Sequence, residues 1–285
     1  MNEDKRTYFE NKYRGRIGFA GPKHPRVKQV LALSGNTKPN PKKFVVIEGL
    51  WSHEVIRENK TKTEAFLMCP ELIYTPEAEA MADFFVEHAD SAYLISEKVF
   101  QRVAEKENSN GMVSVCYLPR WSLDDITPDE TRPIVILDGI EIPGNIGTII
   151  RTCDGADASG IIVCNQRARL THPKLIRSSH GANFRIPVVE AGVEETLDWL
   201  DCNGYTILLT DTDAKSVYSK VRYKGRIAII AGSERYGISK DWYRETAQKI
   251  KIPMLGKCDS LNVAVSTAII LYEVSLQLKG IDDEL

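Results

Sequence analysis

Apolar residues follow two different rhythms along the chain, and the change between them falls near residue 120. Beyond it they gather into short continuous runs at 133–137 (PIVIL), 160–163 (GIIV), 205–209 (YTILL) and 226–230 (RIAII). Runs of this length and β-branched content describe strands covered on both faces, as in a parallel sheet. Segments of helical spacing separate them at 147–156, 173–179, 194–203 and 240–246. A long terminal helix is predicted over 260–279, with Ser260 as N-cap and Gly280 as stop. This half reads as a doubly wound α/β domain. Before the change the pattern is shorter. It predicts helices at 28–33, 50–58, 78–87 and 97–104, and strands at 44–47, 65–68 and 111–115. These make a smaller α/β module of about 95 residues. Between the halves, 120–131 (RWSLDDITPDET) carries four acids, a proline and few apolar residues, as a linker does. The predicted division is a leader at 1–23, a module at 24–119, the linker, and a domain at 132–285.

Length and composition agree with two globular domains: 285 residues, 43% hydrophobic and 27% charged. No apolar run approaches the roughly 18 residues of a membrane span, and the charged N-terminus has no apolar signal core. A cytoplasmic protein without a membrane partner is expected. Six cysteines (Cys69, Cys116, Cys153, Cys164, Cys202, Cys258) are scattered without a Cys-x-x-Cys pair. That spacing argues against a metal site and a disulfide framework and predicts free thiols. The net charge of −2 conceals an asymmetry: residues 1–43 hold eleven Lys/Arg against three acids. Tyr8, Phe9, Tyr13 and Phe19 lie among those charges. Such a segment suits either phosphate contact with base stacking or a solubilising tail.

Open parallel sheets bind ligands beyond the carboxyl ends of their strands, so the loops there carry the candidate chemistry. After PIVIL, Gly144, Asn145 and Gly147 open a helix whose first N–H groups could hold an anion, with Arg151 further in. The spacing matches neither common phosphate-loop pattern. After RIAII comes Ala231-Gly-Ser-Glu-Arg-Tyr-Gly-Ile-Ser239. There Gly232 permits close backbone approach of a ligand, Gly237 permits a positive φ, and Glu234 is either a ligand acceptor or a helix cap. The third segment runs from Ile252-Pro-Met-Leu-Gly256 to Ser260-Leu-Asn-Val-Ala-Val-Ser266. Its Ile252, Met254 and Leu261 can line an adenine slot or a core, and Ser260 and Asn262 can be site groups or caps.

Together these segments resemble the three signature motifs of the SPOUT methyltransferases, in the SpoU/TrmH branch. The matching pieces are Asn145-x-Gly147-x-x-x-Arg151-Thr152, Gly232-x-Glu234-x-x-Gly237-Ile-Ser, and Ile252-Pro-Met-x-Gly256 with Ser260-Leu-Asn-Val-Ala-Val-Ser266. Ser178-Ser-His-Gly-Ala-Asn-Phe-Arg-Ile-Pro187 resembles the segment between the first two motifs. One departure is Ile142-Pro-Gly ahead of Asn145, where relatives often carry an acid. More loosely, 44–49 and 109–113 resemble the ends of a ribosomal-protein-like, RNA-binding substrate domain that precedes many of these enzymes.

The resemblance implies a deep trefoil knot in the C-terminal domain and a homodimer whose site gathers residues near the subunit boundary. It implies S-adenosylmethionine as cofactor, held near Leu209, Thr210, Gly232, Ile252, Met254, Leu261 and Ala264. It makes Arg151 the catalytic arginine acting on a ribose 2′-hydroxyl, with Asn145, Glu234, Ser260 and Asn262 shaping the site. A guanidinium is effectively always protonated, so stabilising an emerging alkoxide suits it better than removing a proton. The sulfonium is already an activated methyl donor, so no metal is required. The implied substrate is ribosomal RNA, with transfer RNA as the alternative. A non-catalytic RNA-binding protein of the same fold is the competing class, and the presence of Arg151, Glu234 and Asn262 speaks against it.

Overall fold

The computed structural model describes residues 4–104 and 110–281. Residues 1–3 of the predicted leader and Ser109 lie outside the described residues. The chain divides into two compact units, Met1–Pro119 with Thr171–Ile176, and Arg120–Leu170 with Arg177–Leu285.

The first unit contains α1 (Lys5–Lys12), β1 (Gly18–Phe19), α2 (Pro25–Ser34), β2 (Phe44–Glu48), α3 (Leu50–Glu58), β3 (Thr63–Met68), α4 (Pro76–His88), β4 (Ala92–Leu94), α5 (Glu97–Val103) and β5 (Met112–Tyr117). Its five-stranded sheet has the order β1-β4-β3-β5-β2, with β5 antiparallel to both neighbours and the other pairs parallel. The predicted helices and strands are present: 50–58 has the predicted bounds, 97–104 ends one residue sooner, and the others are longer by one to four residues, while β4 is too short to leave a periodic signal.

The leader is not a separate tail. In α1 and just beyond it, Phe9 and Tyr13 are 2% and 4% exposed, and their rings stack at 5.8 Å. The basic residues meet acids on and near α4: Arg6 with Glu71 at 2.7 Å, Lys12 with Asp83 at 2.8 Å, and Arg16 with Glu87 at 3.0 Å. Tyr13 donates its hydroxyl to Asp83 at 2.7 Å. Arg6, Lys12, Arg16, Phe9 and Tyr13 are therefore committed inside the unit, whereas Phe19 and Tyr8 remain 63% and 39% exposed. Partly exposed ion pairs contribute only about 0–1 kcal/mol each, so burial of the two rings is what fastens the segment.

From residue 120 the chain forms β6 (Ile134–Asp138), α6 (Pro143–Gly155), β7 (Gly160–Cys164), α7 (Pro173–Ser179), β8 (Val188–Glu190), α8 (Val193–Cys202), β9 (Thr206–Thr210), β10 (Ser216–Val217), β11 (Ile227–Gly232), β12 (Gln248–Lys251) and α9 (Val263–Lys279). The seven strands form one sheet in the order β10-β12-β9-β11-β6-β7-β8, and every pair is parallel. All five residues of β6 and of β7 are buried, as continuous apolar runs require. Ile134, Ile136, Ile162, Leu209 and Ile230 join Leu197 and Leu200 of α8 in one cluster. Alternation sends Val135, Leu137, Ile161 and Ile229 to the opposite face, where α6 and α9 pack against each other and the sheet.

Three expectations change. Residues 120–131 are not a free spacer, because Ile126 is 2% exposed and fills the space a side chain at Gly160 would need (2.9 Å from an added Cβ). The helix expected at 240–246 is a single 3₁₀ turn, Lys240–Trp242. Trp242 is fully buried there, and the chain must straighten to enter β12 at Gln248. The terminal helix starts later than predicted. Asn262, not Ser260, is its N-cap, accepting from the Ala264 N–H at 3.0 Å, and Gly280 ends it at φ +68° as expected. Among the described residues no helix is long and apolar enough to cross a membrane.

Candidate active site

The loops that leave β6, β9, β11 and β12 all emerge at the carboxyl edge of the sheet, where crossing to a helix or turn leaves backbone groups open to a ligand. A cavity of about 320 Å³ opens between the last three. Of the residues expected to hold cofactor, Thr210, Gly232, Ile252, Met254 and Leu261 line it, as do Ser260 and Glu234 of the expected catalytic set. Leu209 does not: its side chain is fully buried in the sheet core beside Ile207 and Ile230. Ala264 is likewise 4% exposed, packed into the first turn of α9 rather than against the cavity. Strand alternation separates Leu209 from Thr210, whose hydroxyl donates to the Ile230 carbonyl at 2.9 Å.

The turn after β11 is held from several sides. Ser233 N–H donates to the Gly237 carbonyl at 3.0 Å, and Gly237 N–H returns to Ser233 at 2.9 Å. The Ser233 hydroxyl accepts from the N–H groups of Arg235 and Tyr236 at 3.1 and 3.2 Å. Gly237 takes φ +68° as its residue type allows. Gly232 is glycine for a different reason from the one expected. A Cβ there would lie 2.6 Å from the Gly237 carbonyl oxygen, so the chain's own backbone makes the close approach.

That turn delivers Glu234 to Asn145 and Asn262. The Asn262 amide donates to Asn145 Oδ1 at 3.3 Å, and the Asn145 amide donates in turn to Glu234 Oε1. Asn262 Oδ1 also caps α9, so this side chain is a cap and a hydrogen-bond partner of Asn145 at once. Glu234 is not a helix cap; it is an exposed carboxylate oriented by one amide, with an oxygen left to accept a ligand hydroxyl. Three residues from three separate motifs thus meet through side-chain hydrogen bonds. Ser260 is exposed and donates to Asp259 at 3.2 Å. Arg151 is brought to none of them. It is exposed on α6, six residues beyond Asn145, and does not line the cavity.

Two further groups escaped the sequence reading. Asp138, 2% exposed at the end of β6, accepts from Asn165 Nδ2 at 2.7 Å and from the Ser239 N–H at 2.6 Å. It ties the loops after β7 and β11 together. An acid closing the PIVIL run was the signal, since a carboxylate at the end of a buried strand must find donors. Tyr243, in the cavity wall, donates to Asp211 Oδ2 at 3.0 Å. Burial, reinforced by that carboxylate, pushes its phenol up to about 12, so it remains a donor at neutral pH.

The cavity offers apolar surface from Ile238, Ile252, Met254 and Leu261 beside the polar groups of Thr210, Asp211, Ser233 and Ser260. That mixture fits a ligand with a planar base and a polar tail carrying hydroxyls and charge.

Residues 132–272 match the model of the SpoU rRNA Methylase family. The chain is 27% identical over 239 residues to the 23S rRNA (guanosine(2553)-2′-O)-methyltransferase RlmP of Bacillus subtilis, covering 79% of this chain and 94% of that protein. In structure it is similar to the AdoMet-bound rRNA methyltransferase from Sinorhizobium meliloti, with a TM-score of 0.82 and 27% identity, over 91% of this chain and 98% of that one. It is also similar to the SpoU methyltransferase AviRb from Streptomyces viridochromogenes in complex with AdoMet. There the TM-score is 0.77 and the identity 25%, over 90% of this chain and 98% of that one.

Proposed function

We propose that the chain, whose residues 132–272 match the model of the SpoU rRNA Methylase family, is an S-adenosylmethionine-dependent methyltransferase that acts on a ribose 2′-hydroxyl of ribosomal RNA. The observation that carries this reading is the hydrogen-bonded line Asn262–Asn145–Glu234, whose Glu234 stands in the wall of the cavity. The cofactor supplies an activated methyl group on a sulfonium. Apolar Ile252, Met254 and Leu261 suit its adenine, and Thr210, Asp211 and Ser260 suit its polar groups. Asn145 and Asn262 fix Glu234 so that its free oxygen accepts from a ribose hydroxyl. Arg151 stabilises the alkoxide as it develops, and an RNA phosphate takes the proton.

Several features support the finer parts of this reading. The chain leaves β11 in the centre of the sheet, visits the far side of β9 as β12, and returns to pack α9 on α6. Such a path supports a deep trefoil knot, a rare departure from unthreaded connections. On α9, Val265 and Tyr272 are 49% and 45% exposed and share a stripe with Ile269. An apolar stripe beside the helix bearing the exposed Arg151 supports a homodimer that completes the site. The first unit, a compact α/β module, serves as the RNA-binding domain, and six unpaired cysteines suit the cytoplasm.

The test is methyl transfer from labelled S-adenosylmethionine to total RNA, comparing wild type with Arg151→Ala and mapping the label. Label on a ribosomal-RNA ribose, reduced roughly 10²-fold or more in the variant, is expected for loss of one oxyanion-stabilising donor. Label on transfer RNA would overturn the substrate, and label on a base would overturn the reaction.

A further inference from the structure

The turn that orients Glu234 also carries a large exposed aromatic side chain. Tyr236 is 68% exposed at its tip. Among the described residues its ring has a single partner, the guanidinium of Arg235, whose Cζ lies 5.1 Å from the ring centroid. Tyr236 does not line the cavity. An aromatic ring this open adds nothing to the core and leaves apolar surface in water.

The backbone beneath it is nevertheless among the most constrained in the second unit. Two cross-turn hydrogen bonds close Ser233 on Gly237, the Ser233 hydroxyl accepts from the N–H of Tyr236 itself, and Gly232 has no room for a Cβ. A rigid base beneath an open ring is the arrangement that lowers the ordering cost of a stacking contact. Flat rings stack on nucleobases irrespective of sequence, and a neighbouring guanidinium adds its charge and its own planar face.

Position selects the ligand. In the proposed reading Glu234, two residues away, borders the ribose that is methylated. A base is one glycosidic bond from that ribose, so it emerges next to the turn. We propose that Arg235 and Tyr236 form a stacking platform for the base of the nucleotide whose ribose is methylated. This rests on the RNA-methyltransferase reading above and adds to it the group that holds the target base.

The experiment measures kcat and KM for total ribosomal RNA, and cofactor affinity by calorimetry, for wild type, Tyr236→Ala and Tyr236→Phe. Loss of one base–aromatic stack is expected to raise KM for RNA roughly tenfold. Affinity for S-adenosylmethionine should be unchanged, and Tyr236→Phe should restore most of the loss because it keeps the ring. An unchanged KM in Tyr236→Ala overturns the platform. So does a fall in cofactor affinity that matches the fall in activity, since the ring would then be holding the turn rather than the RNA. Wild type that labels no RNA while binding cofactor would instead refute the RNA-methyltransferase reading, so the two failures are distinguishable.

Discussion

Replacing Asp138 by alanine tests the idea that one buried carboxylate holds the site loops together. Its two acceptor bonds differ in what their loss costs. The Ser239 N–H at 2.6 Å is half-buried and cannot turn elsewhere, whereas Asn165, at 2.7 Å, is exposed and can rotate its amide into water. A hydrogen bond to a charged group contributes about 1.5–3 kcal/mol, with the upper end for a donor left without water. The sum is about 4.5 kcal/mol for Asp138→Ala, and about 1.5 kcal/mol for Asn165→Ala. With a urea dependence of about 3 kcal/mol per molar, Asp138→Ala shifts the midpoint of the second unit by about 1.5 M and Asn165→Ala by about a third of that. Ser239 lies two residues beyond Gly237, so the Glu234 turn should loosen and cofactor affinity fall together with stability. The measurement is urea denaturation followed by fluorescence, with calorimetric titration of S-adenosylmethionine. Equal shifts for the two variants, or a shift in Asp138→Ala below about 0.3 M, would refute the clamp.

Two further outcomes follow from the first unit. His53 is fully buried, its Nδ1 facing the Gly49 carbonyl at 2.7 Å and its Nε2 the Ser114 hydroxyl at 2.8 Å. The carbonyl can only accept, so Nδ1–H donates and neutral Nε2 accepts from Ser114. Burial lowers the ring from 6.5 to about 4, against a smaller opposing effect of the Gly49 carbonyl. Between those values the unfolded chain binds a proton that the folded unit refuses. The contribution is full above pH 6.5 and is lost as pH falls toward 4, amounting to about 3 kcal/mol. Denaturation midpoints from pH 7 to 4.5 should fall more steeply in wild type than in His53→Gln, and parallel slopes would sink the assignment. Phe9→Ala should destabilise the first unit by about 3–5 kcal/mol, as for other buried phenylalanines. Lys12→Ala should cost under about 1 kcal/mol, as a surface ion pair does. Thermal denaturation of both variants distinguishes a packed leader from a charged tail.

Local signals accounted for the sheet of the second unit and for the residues that meet in the Asn262–Asn145–Glu234 line. PIVIL, GIIV, YTILL and RIAII became β6, β7, β9 and β11 because strands buried on both faces need apolar side chains at every position. Gly237 required a positive φ, and Asn145, Glu234 and Asn262 announced themselves as polar groups in loops after strands. Signals of one or two residues were lost. Ser216–Val217 and Ala92–Leu94 have no period to read, and Lys240–Trp242 looked helical until a buried tryptophan stopped it.

Charge and capping show the same division. Eleven cations in the first 43 residues were legible, but the acids that meet Arg6, Lys12 and Arg16, namely Glu71, Asp83 and Glu87, lie some 65 to 71 positions away along the chain. No local window contains both members of such a pair, so a packed helix and a free tail look alike. Ser260 and Asn262 are equally good capping residues, and the choice between them was made by where Asn145 stood to receive the second amide. What the residues determine alone is which segments must be buried and which turns need glycine, because those demands act over one to five positions. Which carboxylate meets which amide, which side of a strand faces the cavity and which of two adjacent residues reaches a ligand were decided by the sheet order, because contacts between distant segments exist only once the chain has closed on itself.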